Sequence, residues 1–134
     1  MSLSLEIANK MIAASIRKAQ ELGIRVSTTV VDEAGNLVAF ARMDGASWVT
    51  IKISQGKAYA ASGFRTPTAM LAERRKTEIY WADIVSAHEG KMVLAGGGLP
   101  VKVGGHFAGA IGVSGGKAEQ DIECATAGVE AALT

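Results

Sequence analysis

Residues 96–116 read GGGLPVKVGGHFAGAIGVSGG, and this run holds nine of the 16 glycines in a chain of 134 residues. Leu99–Val103 alternates Leu-x-Val-x-Val, the period of a strand. Gly104-Gly105 is a two-residue turn between apolar runs, and such a pair supplies the positive φ angles that a hairpin requires. His106–Val113 is the returning strand, with Phe107, Ala108, Ala110, Ile111 and Val113 as its apolar positions. Gly109 and Gly112 interrupt it. A glycine inside a strand has nothing to pack, and it marks a bulge or the close approach of a ligand or another backbone. Ser114-Gly115-Gly116 ends the strand and opens a helix. The run therefore predicts a sheet core with a cleft beside it.

The flanking segments fix what surrounds that hairpin. Ser4 is placed to cap a first helix with Glu6 in its first turn. Leu5, Ala8, Ile12, Ile16, Ala19 and Leu22 then share one helical face, and Gly23 stops it. Arg25–Val31 is rich in β-branched residues, residues 32–36 (DEAGN) form a turn, and Leu37–Arg42 returns, which makes a second hairpin. Ser47 is read as the cap of a helix from Trp48 to about Ser62, closed by Gly63. Thr66-Pro67 is read as cap and first position of another helix. Ile79–His88 fits either helix or irregular connection, and Lys91–Leu94 is read as a short strand. Ala118–Leu133 closes the chain as a helix with Ile122, Ala125, Val129 and Ala132 inward. Two hairpins with helices between them predict a single α+β domain over residues 1–134: an antiparallel sheet of about five strands with helices packed on it.

Composition narrows the function. Nearly half the residues are hydrophobic (49%), aromatics are scarce (5%), and small side chains do much of the filling. The net charge of +1 offers no field for nucleic acid or an anionic membrane, so neither is expected as a partner. No apolar run approaches the ~20 residues of a membrane span. The first residues, MSLSLEIANKM, lack the basic start and long apolar stretch of an export signal, and the expectation is a cytoplasmic protein. One cysteine, Cys124, excludes an internal disulfide.

Familiar chemical motifs fail. No glycine run has the spacing of a phosphate loop or of a dinucleotide fingerprint. Gly115-Gly116 ahead of a helix presents backbone N–H groups either to an anion or simply to a turn. His88, His106 and Cys124 have no zinc-site spacing, although one imidazole can suffice for an iron porphyrin. Ser114 lies between strand and helix, but no histidine follows it, as an elbow serine's triad order requires. Cys124 sits among small apolar residues, where a packing role is expected. Asp32 and Asp44 are read as turn residues that bond their own backbone. Arg42, Asp44 and Lys57 are placed to converge on the rim of one cleft. Lys57, in the small stretch Gly56-Lys57-Ala58, either contacts a ligand or reaches past the helix to solvent.

Four stretches taken together, VVDEAGNLVAFARMDGA (30–46), ISQGKAYAA (53–61), GGGLPV (96–101) and GAIGVSGGKAEQD (109–121), resemble the GlcG/HbpS family, which includes the C-terminal domain of PduO-type proteins. The resemblance spans almost the whole domain. It implies a helix-covered antiparallel sheet that assembles into homo-oligomers, octamers or smaller. It also implies a haem- or corrinoid-related role for some members, and for others an association with enzymes of glycolate, glycerol or diol use. It describes a binding or accessory module more than an enzyme. Some PduO-type members are held to bind haem through a histidine of the first helix; here that helix carries Met11 and Ser15 and no histidine.

The expected site lies where the Arg42–Ala46 turn, the Lys57 helix, Gly96–Pro100 and Gly112–Gly116 meet. Its ligand contacts are Arg42, Asp44, Lys57, Gly97, Gly98, Ser114 and Gly115, and haem heads the candidate ligands. Two other readings stand beside this one. The first is an enzyme using Lys57 as base or Schiff-base amine, with backbone N–H groups as an oxyanion site. The second is an assembly factor whose glycines serve subunit packing.

Overall fold

A computed structural model describes residues 3–133 of the chain. Its elements run α1 (Leu5–Leu22), β1 (Ser27–Asp32), β2 (Leu37–Arg42), α2 (Val49–Phe64), α3 (Thr68–Arg75), α4 (Tyr80–Ala87), β3 (Gly98–Val103), β4 (His106–Ser114) and α5 (Ala118–Ala132). The sheet has the order β2-β1-β4-β3, with every neighbouring pair antiparallel. Each hairpin thus contributes one central strand, β1 or β4, and one edge strand.

Three layers result. Helices α1 and α5 pack on each other and on one face of the sheet, and α2 covers β1, β4 and β3 on the other. The α1/α5 layer is the main core, built around Met11, Val30, Ile111, Val113 and Cys124. On the opposite face Val31 and Ala110 meet Ala58 and Ala61 of α2. α1 forms for the expected reasons. Ser4 Oγ accepts the N–H of Ile7, and Gly23, at φ 71°, closes the helix by donating to the carbonyls of Ala19 and Gln20. Leu5 departs from the expected inward stripe and is 57% exposed.

The centre of the sheet is polar, yet its hydroxyls are all partnered. Ser27, Thr28 and Thr29 of β1 are fully buried. Thr28 bonds Ser15 of α1, Ser27 bonds Thr50, and Thr29 bonds Ser54 of α2, each at 2.8 Å. Alternation along β1 sends these hydroxyls to the two helical layers in turn. Ser15, Thr50 and Ser54 donate onward to the carbonyls of Ile12, Ser47 and Ile51 and accept from the β1 hydroxyls, so none of the six is left without a partner.

Several local expectations change. The sheet has four strands, because Lys91–Leu94 joins no ladder; the Val93 N–H donates instead to the Gly56 carbonyl of α2. Residues 80–87 are a helix, with Trp81 buried against Phe64. Ser47 Oγ accepts the Val49 N–H at 3.4 Å, a long form of the expected cap, and α2 runs past Gly63 to Phe64, ending on Arg65 at φ 50°. Thr66 does not cap α3: its hydroxyl donates back to the Phe64 carbonyl, and α3 starts after Pro67. On α5 the buried stripe is Asp121, Cys124, Ala125, Gly128 and Ala132, with Ile122 and Val129 only half-buried.

Candidate functional site

The seven expected contacts fall into two separate groups. Lys57 leaves α2 from a buried position and runs inward, not to the rim and not to solvent. Its Nζ donates to the Val113 carbonyl at 2.9 Å and to Asp121 Oδ2 of α5 at 3.1 Å. Both side chains of this ion pair are about 95% buried, at 5% and 4% exposed. The other carboxylate oxygen, Asp121 Oδ1, accepts the N–H of Gly116 at 2.8 Å. Burial pushes the Asp121 carboxyl above its ordinary value, and Lys57 and the Gly116 and Gly115 N–H groups pull it back. The pair ties α2 to α5 past the ends of β3 and β4.

The glycines make room for that tie. A Cβ on Gly97 would lie 2.6 Å from the Val113 oxygen and 3.0 Å from Lys57 Nζ. One on Gly98 would meet the Lys57 carbonyl at 2.5 Å, and one on Gly112 would meet the Ser54 carbonyl at 2.1 Å. Gly115, at φ 152°, sits over the Arg25 carbonyl. The close approach expected at Gly97, Gly98, Gly112 and Gly115 is therefore the chain against itself. The backbone amides ahead of α5 do meet an anion, and it is Asp121. Ser114 is buried at the end of β4, and His88 and His106 are both exposed, so no triad forms.

Arg42 and Asp44 lie elsewhere. They line a cavity of about 540 Å3 with Ile16 and Gln20 of α1, Arg25, Met43 and Gly45. Arg42 Nη1 donates to the Ala46 carbonyl at 2.9 Å, which fixes the guanidinium over the turn. The Arg25 guanidinium lies across Gly45, where a Cβ would collide with it. Asp32 bonds the N–H groups of Ala34 and Asn36 as expected, whereas Asp44 is exposed on the cavity wall. Among the described residues neither Arg25 nor Arg42 is in an ion pair. Unpaired guanidinium groups of this kind have the donor geometry to pair with carboxylates.

A sequence model described as haem degrading protein HbpS-like matches residues 3–130. The chain belongs to the HbpS-like family. Among its relatives, an uncharacterised 15.0 kDa protein from the dhaT-dhaS intergenic region of Citrobacter freundii is 37% identical over 120 residues, 90% of this chain and 84% of that one. Protein GlcG of Escherichia coli K12 is 36% identical over 115 residues, 84% and 81% of the two chains. Two solved structures match this HbpS-like chain with a TM-score of 0.88: a PduOC–haem complex, 29% identical over 98% of this chain and 95% of that one, and HbpS, 32% identical over 97% and 89%. The family resemblance read from the four sequence stretches is thereby established.

Asp121, Thr68 and Arg25 carry the local geometry without having been singled out in the sequence. Asp121 had a legible signal, an acid within the inward stripe of a small-residue helix. Thr68, fully buried, donates to the Ala95 carbonyl and accepts the Gly98 N–H, which holds the glycine loop to α3. Arg25 lay in what reads as the start of a strand, and only the turn packed against it reveals its position.

Proposed function

We propose that this HbpS-like chain is an accessory binding module for a planar, carboxylate-bearing ligand of the haem class, seated in the Arg25–Arg42 cavity. The observation that carries the proposal is the pair of unpaired guanidinium groups over one cavity, in a fold shared with a haem complex. Arg25 and Arg42 hold the carboxylates, Ile16 and Met43 supply apolar wall, and Asp44 limits the negative charge accepted. Lys57, Gly97, Gly98, Ser114 and Gly115 form the frame beneath α5 and do not reach this cavity.

The residues fit the carboxylate end of haem and not a histidine-ligated iron. α1 has no histidine, Met11 and Ser15 are fully buried, and neither exposed histidine lines the cavity. Haem, when bound, supplies a redox-active iron; the chain supplies a seat for its carboxylates and rings. Protoporphyrin IX without metal is accordingly expected to bind about as well as haem. An absorbance titration tests this. Arg25→Gln/Arg42→Gln is expected to weaken binding of both porphyrins by about a hundredfold, at ~1.5 kcal/mol per lost charged contact. Unchanged affinity in that variant, or no saturable binding by the parent chain, overturns the proposal.

The module is further read as a cytoplasmic homo-oligomer of eight subunits or fewer, working beside enzymes of glycolate, glycerol or diol use. Support comes from large apolar side chains left in water: Ile79 is 86% exposed, Trp48 80% and Tyr80 54%. No helix among the described residues is long and apolar enough to cross a membrane. Native mass spectrometry reporting a monomer would remove the assembly reading.

A further inference from the structure

A second cavity, of about 530 Å3, shares no lining residue with the first. It forms because α2 covers β1, β4 and β3 and leaves the edge strand β2 open on that side. Val31 pairs with Leu37, so both side chains face the α2 layer; Val31 is buried under α2, whereas Leu37 is 58% exposed. Lys52, Gln55 and Tyr59 stand along one flank of α2 at positions i, i+3 and i+7 and form the opposite wall. The Tyr59 ring closes one end against Gly35, where a Cβ would lie only 3.0 Å from it.

The third wall is the turn after α4. Glu89 and Gly90 have φ of 58° and 72°, two successive left-handed residues. That conformation is costly for glutamate, and the turn is closed by backbone bonds to the end of α4, Glu89 N–H to the Ser86 carbonyl at 3.0 Å and Gly90 N–H to the Val85 carbonyl at 2.9 Å. It projects Glu89 and Lys91 into the cavity lining, and the preceding His88 lies edge-on to Tyr59. Among the described residues Lys52, Lys91 and Glu89 join no ion pair, and the Gln55 amide has no hydrogen-bond partner. This contrasts with Lys57, whose polar head is bonded on two sides.

We propose that this groove binds a small monocarboxylate with a flat or branched apolar body. Lys52 and Lys91 hold the carboxylate, Gln55 donates to it, and Val31, Leu37 and the Tyr59 ring take the body. Two ammonium groups exclude a cationic ligand, and Glu89 disfavours a second negative charge. The volume lies in the range of small-molecule sites.

The test follows backbone amides by NMR while benzoate, benzyl alcohol and benzylamine are titrated in turn. Benzoate is expected to shift Gly35, Gly56 and Gly90 saturably. Benzyl alcohol and benzylamine are expected to bind at least about tenfold more weakly, as is benzoate to Lys52→Gln/Lys91→Gln, both lysines being exposed and so replaceable without unfolding. The proposal is overturned by shifts that do not saturate, by shifts centred on other residues, or by a double variant that binds benzoate like the parent. Because Arg25 and Arg42 are absent from this groove, Arg25→Gln/Arg42→Gln is expected to bind benzoate normally whether or not it binds porphyrin.

Discussion

Replacing Lys57 by Met leaves the Asp121 carboxylate about 95% buried with its partner gone. Removing one member of a buried ion pair costs about 3–5 kcal/mol, because the remaining charge is uncompensated. Here the Gly116 N–H still reaches Asp121 Oδ1 at 2.8 Å, which places the expected loss near the lower end, about 3–4 kcal/mol. Asp121→Leu strands the ammonium instead, with only the Val113 carbonyl at 2.9 Å to receive it, and a loss of about 4–5 kcal/mol is expected. In the double variant no charge is buried. What it loses is the partner of the Gly116 N–H and of the Val113 carbonyl, about 1–2 kcal/mol each. The double variant is therefore expected to lose about 2–4 kcal/mol, less than the sum of the singles by roughly 5 kcal/mol. Urea denaturation followed by circular dichroism, with the m-value held constant, reads each quantity. Single variants within about 1 kcal/mol of the parent, or a double variant equal to the sum, would refute the placement of Lys57 inside the protein.

Three further outcomes rest on the same geometry. Since burial raises the Asp121 carboxyl above its ordinary 3.8, the folded chain takes up that proton before the unfolded chain does. The parent should gain stability relative to Asp121→Asn as pH falls from neutral towards 3.8, and a gap that narrows would contradict it. Cys124 is fully buried and its thiol is pushed up to about 11 by burial, so stability should fall from about pH 9 to about pH 11 in the parent and not in Cys124→Ala. The same thiol should resist alkylation in the native chain and react in denaturant. Gly112→Ala, whose Cβ would sit 2.1 Å from the Ser54 carbonyl, should cost more than about 3 kcal/mol, whereas Gly104→Ala, strained at φ 59° but in open space, should cost about 1 kcal/mol; equal denaturation midpoints would refute the packing argument.

The parts of the fold that were legible in the sequence are those where pattern and partner coincide. α1 has its cap, its stop and most of its stripe within one segment, and the two hairpins are closed by turns next to their strands. The errors fall where a local pattern is satisfied by something distant. Residues 91–94 alternate as a strand does, with Met92 and Leu94 buried, but the Val93 N–H finds the Gly56 carbonyl and no strand lies alongside. Thr66 has the position of a cap, yet its hydroxyl turns back to Phe64, and the buried threonine that matters is two residues on. Arg42 and Lys57 flank one turn in sequence, but α2 carries Lys57 to the opposite layer.

The same reasoning separates two meanings of a missing side chain. Gly97, Gly98, Gly112 and Gly115 correctly signal that something lies against bare main chain, and composition alone does not say whether it is a guest or another part of the protein. The charges decide. Lys57 lies on the covered face of α2, among Ser54, Gly56, Ala58 and Ala61, and cannot reach water without crossing its neighbours, and an acid in the inward stripe of α5 cannot either. Two opposite charges buried in the layers on either side of the sheet satisfy each other past its end, and Gly97 between them leaves the space in which they meet. The cations that line the two cavities and join no ion pair among the described residues are the guanidinium groups of Arg25 and Arg42 and the ammonium groups of Lys52 and Lys91. Both proposed sites accordingly rest on unpaired cations, and the glycines at the end of the sheet serve the Lys57–Asp121 contact.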